Sequence, residues 1–115
     1  MVASVLLVDD DADICEIISR ALRGAGYKVY VTDNGARALA VLDEILPSVV
    51  LVDLLMPVMG GWQLLEIMRS RPRLKSMPTI VITASAELPR VSCRVLRKPF
   101  DLADLIRTVG EACAA

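Results

Sequence analysis

Val49-Val50-Leu51-Val52-Asp53 is the stretch on which the reading of the fold turns. Four consecutive aliphatic residues cannot present one wet face, so they read as a strand buried on both sides, the mark of a parallel sheet. The run stops at a carboxylate. Three other apolar runs stop at a polar group in the same way. Ser4-Val5-Leu6-Leu7-Val8 ends at Asp9-Asp10-Asp11, Thr79-Ile80-Val81-Ile82 ends at Thr83, and Val95-Leu96-Arg97 ends at Lys98-Pro99. Open α/β sheets carry their sites at the C-terminal edge of the strands. The chain is therefore expected to gather carboxylates, a hydroxyl and an ammonium at one edge, a set suited to a divalent metal and a phosphoryl group.

The chain has 115 residues, enough for one domain with a single core. Hydrophobic residues make up 55% and aromatics only 3%, so that core must be aliphatic. A formal net charge of -1 gives no electrostatic reason to expect nucleic-acid or membrane binding. Arg69, Arg71, Arg73 and Lys75 do cluster, but with no aromatic residues among them they read as a solvated loop. No apolar stretch approaches the ~20 residues of a membrane span, and the N-terminus lacks a signal-peptide pattern. Cys15, Cys93 and Cys113 form neither a metal-ligand motif nor a disulfide framework, which fits a reduced, cytoplasmic setting. The absence of histidine removes the commonest general base and any imidazole ligand.

Strand and helix patterns alternate from end to end. A first strand over about residues 4 to 9 leads into a helix with Ile14, Ile17, Ile18, Ala21 and Leu22 on one face. Asp11 or Asp13 can cap its start, and Gly24 and Gly26 end it. Tyr27 to Thr32 is a second strand, and Asn34 opens a helix with the face Ala38, Leu39, Leu42 and Ile45. After the third strand, a loop from Leu54 to Gly60 precedes a helix carrying Leu64, Leu65 and Met68. The fourth strand is Thr79 to Thr83 and the fifth lies near Arg94 to Arg97. The last helix starts at an Asp101 cap and buries Leu102, Leu105, Ile106, Val109 and Cys113. Such alternation implies a doubly wound α/β fold with right-handed crossovers and helices on both sheet faces.

One crossover is short. About nine or ten residues, Pro89 among them, separate Thr83 from the fifth strand. Returning along a five-residue strand covers about 16 Å at ~3.3 Å per residue. A helix needs about eleven residues for that distance, before its loops, while an extended segment needs about five. The return over residues 84–93 is expected to be mostly extended, with at most one helical turn and rapid amide exchange over residues 85–92.

The strand-end residues carry the chemistry. Carboxylates converging from Asp9, Asp10, Asp11 and Asp53 repel one another unless a cation intervenes, and Mg²⁺, hard and oxygen-liking, is the natural one. Taken alone, the three N-terminal aspartates read equally well as a helix cap. Asp53 beside a metal is a candidate nucleophile toward phosphorus, forming an acyl phosphate. Thr83 can donate to a phosphoryl oxygen, although threonine is also simply a good strand residue. Lys98 is a point charge for a phosphate, and the Lys98–Pro99 peptide can be cis.

These residues, in this order, closely resemble the receiver domain of bacterial two-component response regulators. The stretches that carry the resemblance are Leu6-Leu7-Val8-Asp9-Asp10-Asp11, Val52-Asp53-Leu54-Leu55-Met56-Pro57-Val58-Met59-Gly60-Gly61, Val81-Ile82-Thr83-Ala84 and Leu96-Arg97-Lys98-Pro99-Phe100. The resemblance implies one receiver domain over residues 1–115 with a flavodoxin-like five-stranded parallel sheet in the order 2-1-3-4-5. It implies that Asp53 accepts a phosphoryl group from a sensor histidine kinase or phosphotransfer protein. Asp10 and Asp53 would hold Mg²⁺ with the Leu55 carbonyl, Asp9 helping, and Thr83 and Lys98 would bind the phosphoryl oxygens. Such a module is no enzyme beyond its own phosphorylation and dephosphorylation, and signals by binding partners.

Three departures from the family pattern stand out. Val95 occupies a position where receivers usually carry an aromatic residue. The fourth crossover helix is shortened or absent. Leu55 and Ser85 fill positions that tune dephosphorylation, and Leu55 cannot hold an attacking water, which implies a persistent phosphoryl-aspartate. The alternatives are a receiver-like module that works without phosphorylation, or a Mg²⁺-dependent aspartyl-phosphate phosphohydrolase. Leu55 argues against the latter, because such enzymes often place a second acid there. The chain reads either as a stand-alone regulator or as a piece of a larger regulator or hybrid kinase.

Overall fold

The computed structural model describes residues 2–56, 58–84 and 93–114. The element order is β1 (Ser4–Val8), α1 (Ala12–Gly24), β2 (Lys28–Thr32), α2 (Gly35–Glu44), β3 (Val49–Asp53), α3 (Gly61–Ser70), β4 (Thr79–Thr83), β5 (Arg94–Arg97) and α4 (Leu102–Ala114). All strand pairs are parallel and the sheet order is β2-β1-β3-β4-β5. The doubly wound α/β fold expected from the sequence is therefore present. The shortened fourth crossover falls mostly on residues 85–92, outside the described residues.

β1, β3 and β4 are central, and their aliphatic runs divide by alternation between two cores. Val5, Leu7, Val49, Leu51, Ile80 and Ile82 face one side, where α1 and α4 cover them with Ile18, Leu22, Leu105 and Val109. Leu6, Val8, Val50, Val52 and Val81 face the other, packed with Ala38 and Leu42 of α2 and Leu64, Leu65 and Met68 of α3. Burial on both faces is why these strands read as continuous apolar runs rather than alternating ones. The edge strand β5 differs: Arg94 and Arg97 are exposed and Val95 and Leu96 only half-buried, a charged edge that resists pairing with another chain.

Local chemistry sets the helix ends. Asp11 is the α1 cap, accepting from the amides of Asp13 and Ile14, and Asn34 caps α2 through the amide of Arg37. Gly26 adopts φ 98° just beyond α1, a left-handed conformation that favours glycine.

Two helix faces differ from the sequence reading. Along α1 the buried stripe is Cys15, Ile18, Ser19 and Leu22, while Ile17 is 54% exposed. On α4 the stripe is Leu105, Val109 and Ala112, with Leu102 40% exposed. Ile18, Leu22, Leu105 and Val109 of the expected faces are buried, and the sheet beneath turns each helix so that only Ile17 and Leu102 of them lie exposed. The basic run is also more than a solvated loop. Arg71 pairs with Asp43 at 3.4 Å, and Arg73 donates to the carbonyls of Leu42 and Ile45 at the end of α2.

Candidate functional site

Register brings the site together. Val8 lies opposite Val52, so the next residue on each strand places Asp9 beside Asp53 at the C-terminal edge. Asp53 pairs with Ile82, and Thr83 follows it at the end of β4. Thr83 pairs with Arg97, which puts Lys98 one step beyond, where its amide donates to the Thr83 carbonyl at 2.9 Å. The Lys98–Pro99 peptide is cis.

The side chains converge. Lys98 Nζ donates to Asp9 Oδ2 at 3.0 Å and to Asp53 Oδ2 at 3.2 Å. Asp9 is 1% exposed, and its other oxygen accepts from the Asp11 amide at 2.9 Å. Asp53 Oδ1 accepts from the Leu55 amide at 3.2 Å. Asp10 is exposed, yet its carboxylate and those of Asp9 and Asp53 supply oxygens all within 4.8 Å of one another. Thr83 is fully buried at the same edge. Of the three N-terminal aspartates, Asp9 and Asp10 belong to the cluster, while Asp11 serves the helix.

Electrostatics follow from that crowding. Burial pushes the Asp53 carboxyl above its ordinary value, and the Asp9 charge adds to this against the Leu55 amide and Lys98. For Lys98, burial favours the neutral form, but bonding to Asp9 and Asp53 outweighs it and raises the ammonium's pKa. One ammonium thus serves two buried carboxylates. Among the described residues these three acids are the only group placed to hold a metal ion. Two ligands on one Mg²⁺ lie at most ~4.2 Å apart, so the carboxylates need only a small adjustment to share one. The donor set, all hard oxygen, fits that ion.

Two structural neighbours of the site, Gly61 and Cys15, take roles there that the sequence pattern did not assign. Gly61, the first residue of α3, sits so tightly under the end of β3 that a Cβ would meet the Asp53 carbonyl oxygen at 2.2 Å. Cys15 donates its thiol to the Asp9 carbonyl at 3.2 Å. Burial, with the charges of Asp9 and Asp11, pushes the Cys15 pKa up to about 11 from 9.0. At a given pH well below both values this leaves about a hundredfold less thiolate. Iodoacetamide at pH 8 is expected to alkylate Cys15 at least about a hundredfold more slowly in the folded protein than in urea. Equal rates by peptide mass mapping would contradict the packed geometry.

With the fold and the edge defined, the class is clear. The chain belongs to the response regulator receiver domain family, whose model matches residues 5–110. It is 35% identical over 118 residues to an uncharacterized 14.6 kDa protein of Leptolyngbya boryana, covering 96% of this chain and 90% of that one. It is also 35% identical over 115 residues to the DNA-binding transcriptional regulator NtrC of Escherichia coli, covering 94% of this chain but 24% of that protein. Among solved structures, the chemotaxis response regulator CheY4 of Vibrio cholerae superposes with a TM-score of 0.89 at 29% identity, over 97% of this chain and 99% of that one. No helix among the described residues is long and apolar enough to cross a membrane.

Proposed function

We propose that residues 1–115 form one phosphoacceptor receiver domain in which Asp53 takes a phosphoryl group from a sensor histidine kinase or phosphotransfer protein. The observation that carries this is the Lys98 ammonium held between Asp9 and Asp53, with Asp10 close by. An Asp53 carboxylate oxygen attacks phosphorus as the bond from phosphorus to the donor's imidazole nitrogen breaks, and the imidazole leaves with the bonding pair. The product is an acyl phosphate on Asp53. Asp9, Asp10, Asp53 and the Leu55 carbonyl would hold Mg²⁺, which when bound offsets the charge of the incoming phosphoryl group. The Leu55 amide orients Asp53 through Oδ1. Lys98 exchanges a carboxylate partner for a phosphoryl oxygen, and the Thr83 hydroxyl donates to another.

Exposed apolar side chains follow Asp53 in the loop to α3, Leu55 at 63% and Val58 at 87%. They suit docking of the donor protein, since charges alone would steer but not seat it. Val58 also holds φ 66°, a left-handed conformation that is strained for a β-branched residue, in the loop that leads from Asp53 into α3. The exposed aliphatic Leu55 offers no hydrogen bond to an attacking water, which supports a long-lived phosphoryl-aspartate. The module is cytoplasmic in this reading, catalyses nothing beyond its own phosphoryl chemistry and signals by binding an output partner.

The test is intact mass after incubation with acetyl phosphate. One added phosphoryl group with Mg²⁺, and none after chelation, is expected. Failure to add one under any condition favours an interaction module that works without phosphorylation.

A further inference from the structure

A second site lies at the opposite end of the sheet. A cavity of about 580 Å³ opens between the C-terminal part of α3, the loop before β4, the start of β5 and the C-terminal part of α4. That is the scale of a ligand pocket. Its walls include the buried Leu65, Met68 and Leu74 and the half-buried Met77. Arg69, Lys75 and Arg94, all exposed, line it from three separate elements. Among the described residues no Asp or Glu lines it, and none of the three cations is ion-paired.

The fate of the basic run sharpens the point. Arg71 and Arg73 are committed to α2, whereas Arg69 and Lys75 face this cavity and are joined there by Arg94 from a distant part of the chain. Three unpaired cations around an apolar floor repel one another and gain from an anion. They come from three elements, so the positive charge is spread over three walls of the cavity. A ligand with a single anionic head leaves some of them unmatched. An apolar anchor flanked by several carboxylates matches them all.

We infer that this cavity docks a short acidic segment of a partner protein, inserting an aliphatic side chain while its Glu or Asp residues pair with Arg69, Lys75 and Arg94. The site lies at the N-terminal ends of β4 and β5, one strand length or roughly 16 Å from the edge that holds Asp53. Docking here makes no contact with that edge.

The probe is a fluorescein-labelled amphipathic peptide of Glu, Ala and Leu, with Leu at helical spacing, followed by fluorescence anisotropy. Saturable binding is expected, equal for the natural chain and Asp53→Asn, and weakened by salt. The double variant Arg69→Glu, Arg94→Glu should bind at least about tenfold more weakly, and so should the natural chain with a peptide in which Gln replaces Glu. Amide shifts on titration should centre on Met77, Arg94 and Ala112. The inference is overturned by equal binding of the Gln peptide, by shifts centred on Lys98, or by tighter saturation with sodium decanoate than with the peptide. The Gln arm uses the natural chain, so it stands even where the double variant is unstable.

Discussion

Asp53→Asn is expected to acquire no phosphoryl group from acetyl phosphate under conditions that label the natural chain, and at the same time to melt at a higher temperature without metal. The first effect is chemical. A carboxamide has the shape of the carboxylate but neither its charge nor its nucleophilic oxygen, so no acyl phosphate forms. The second follows from linkage. Burial raises the Asp53 pKa in the folded state, so the folded chain holds that proton more tightly than the unfolded chain does. Stability from this group is thus greatest at low pH and falls as pH rises from the ordinary carboxylate value through the raised one. Near neutral pH the full cost is present, and asparagine removes it while keeping an oxygen for Lys98 Nζ, which now lies 3.2 Å from Asp53 Oδ2. A variant that still gains a phosphoryl group, or that melts lower than the natural chain in chelator, would refute the role given to Asp53.

Gly61→Ala should cost about 3 kcal/mol of stability, read from urea unfolding, and should also slow phosphorylation of whatever remains folded. The added Cβ would lie 2.2 Å from the Asp53 carbonyl oxygen and 2.8 Å from the Leu54 Cα. Both are backbone atoms at the end of a fully buried strand, so no side chain can rotate away to make room. Either α3 or the end of β3 must shift, and the latter carries the phosphoacceptor with it. Gly24→Ala is the matching control. It lies at the end of α1 with nothing within 4 Å of the new Cβ, and should be neutral or stabilising by up to about 1 kcal/mol. Similar losses at both positions would mean that helix propensity, not the close approach at Gly61, sets the cost.

How much of this was legible in the sequence depends on how local each cause is. The strands were readable because burial on both faces leaves no polar residue inside Val5–Val8, Val49–Val52 or Ile80–Ile82. The helix caps were readable because Asp11 and Asn34 act on amides two or three residues away. Helix faces were less so. Ile17 and Leu102 fit an apolar stripe, but nothing local says which of two overlapping stripes meets the sheet, and both residues lie on the surface. Of Asp9, Asp10 and Asp11, the residues alone did not say which two join Asp53; the family resemblance pointed to Asp9 and Asp10, and the turn after β1 places those two beside it.

Local sequence dictates the alternation of strands and helices, and the polar group on which each of four strands ends. Those are properties of consecutive residues, and burial and capping act over a few positions. Long-range packing is what makes Lys98 span Asp9 and Asp53, keeps Gly61 bare beneath Asp53, and joins Arg94 to Arg69 and Lys75 around a second cavity. Each joins residues far apart in the chain. Strand order and register set those meetings, through backbone hydrogen bonds that carry no trace in any single stretch of sequence.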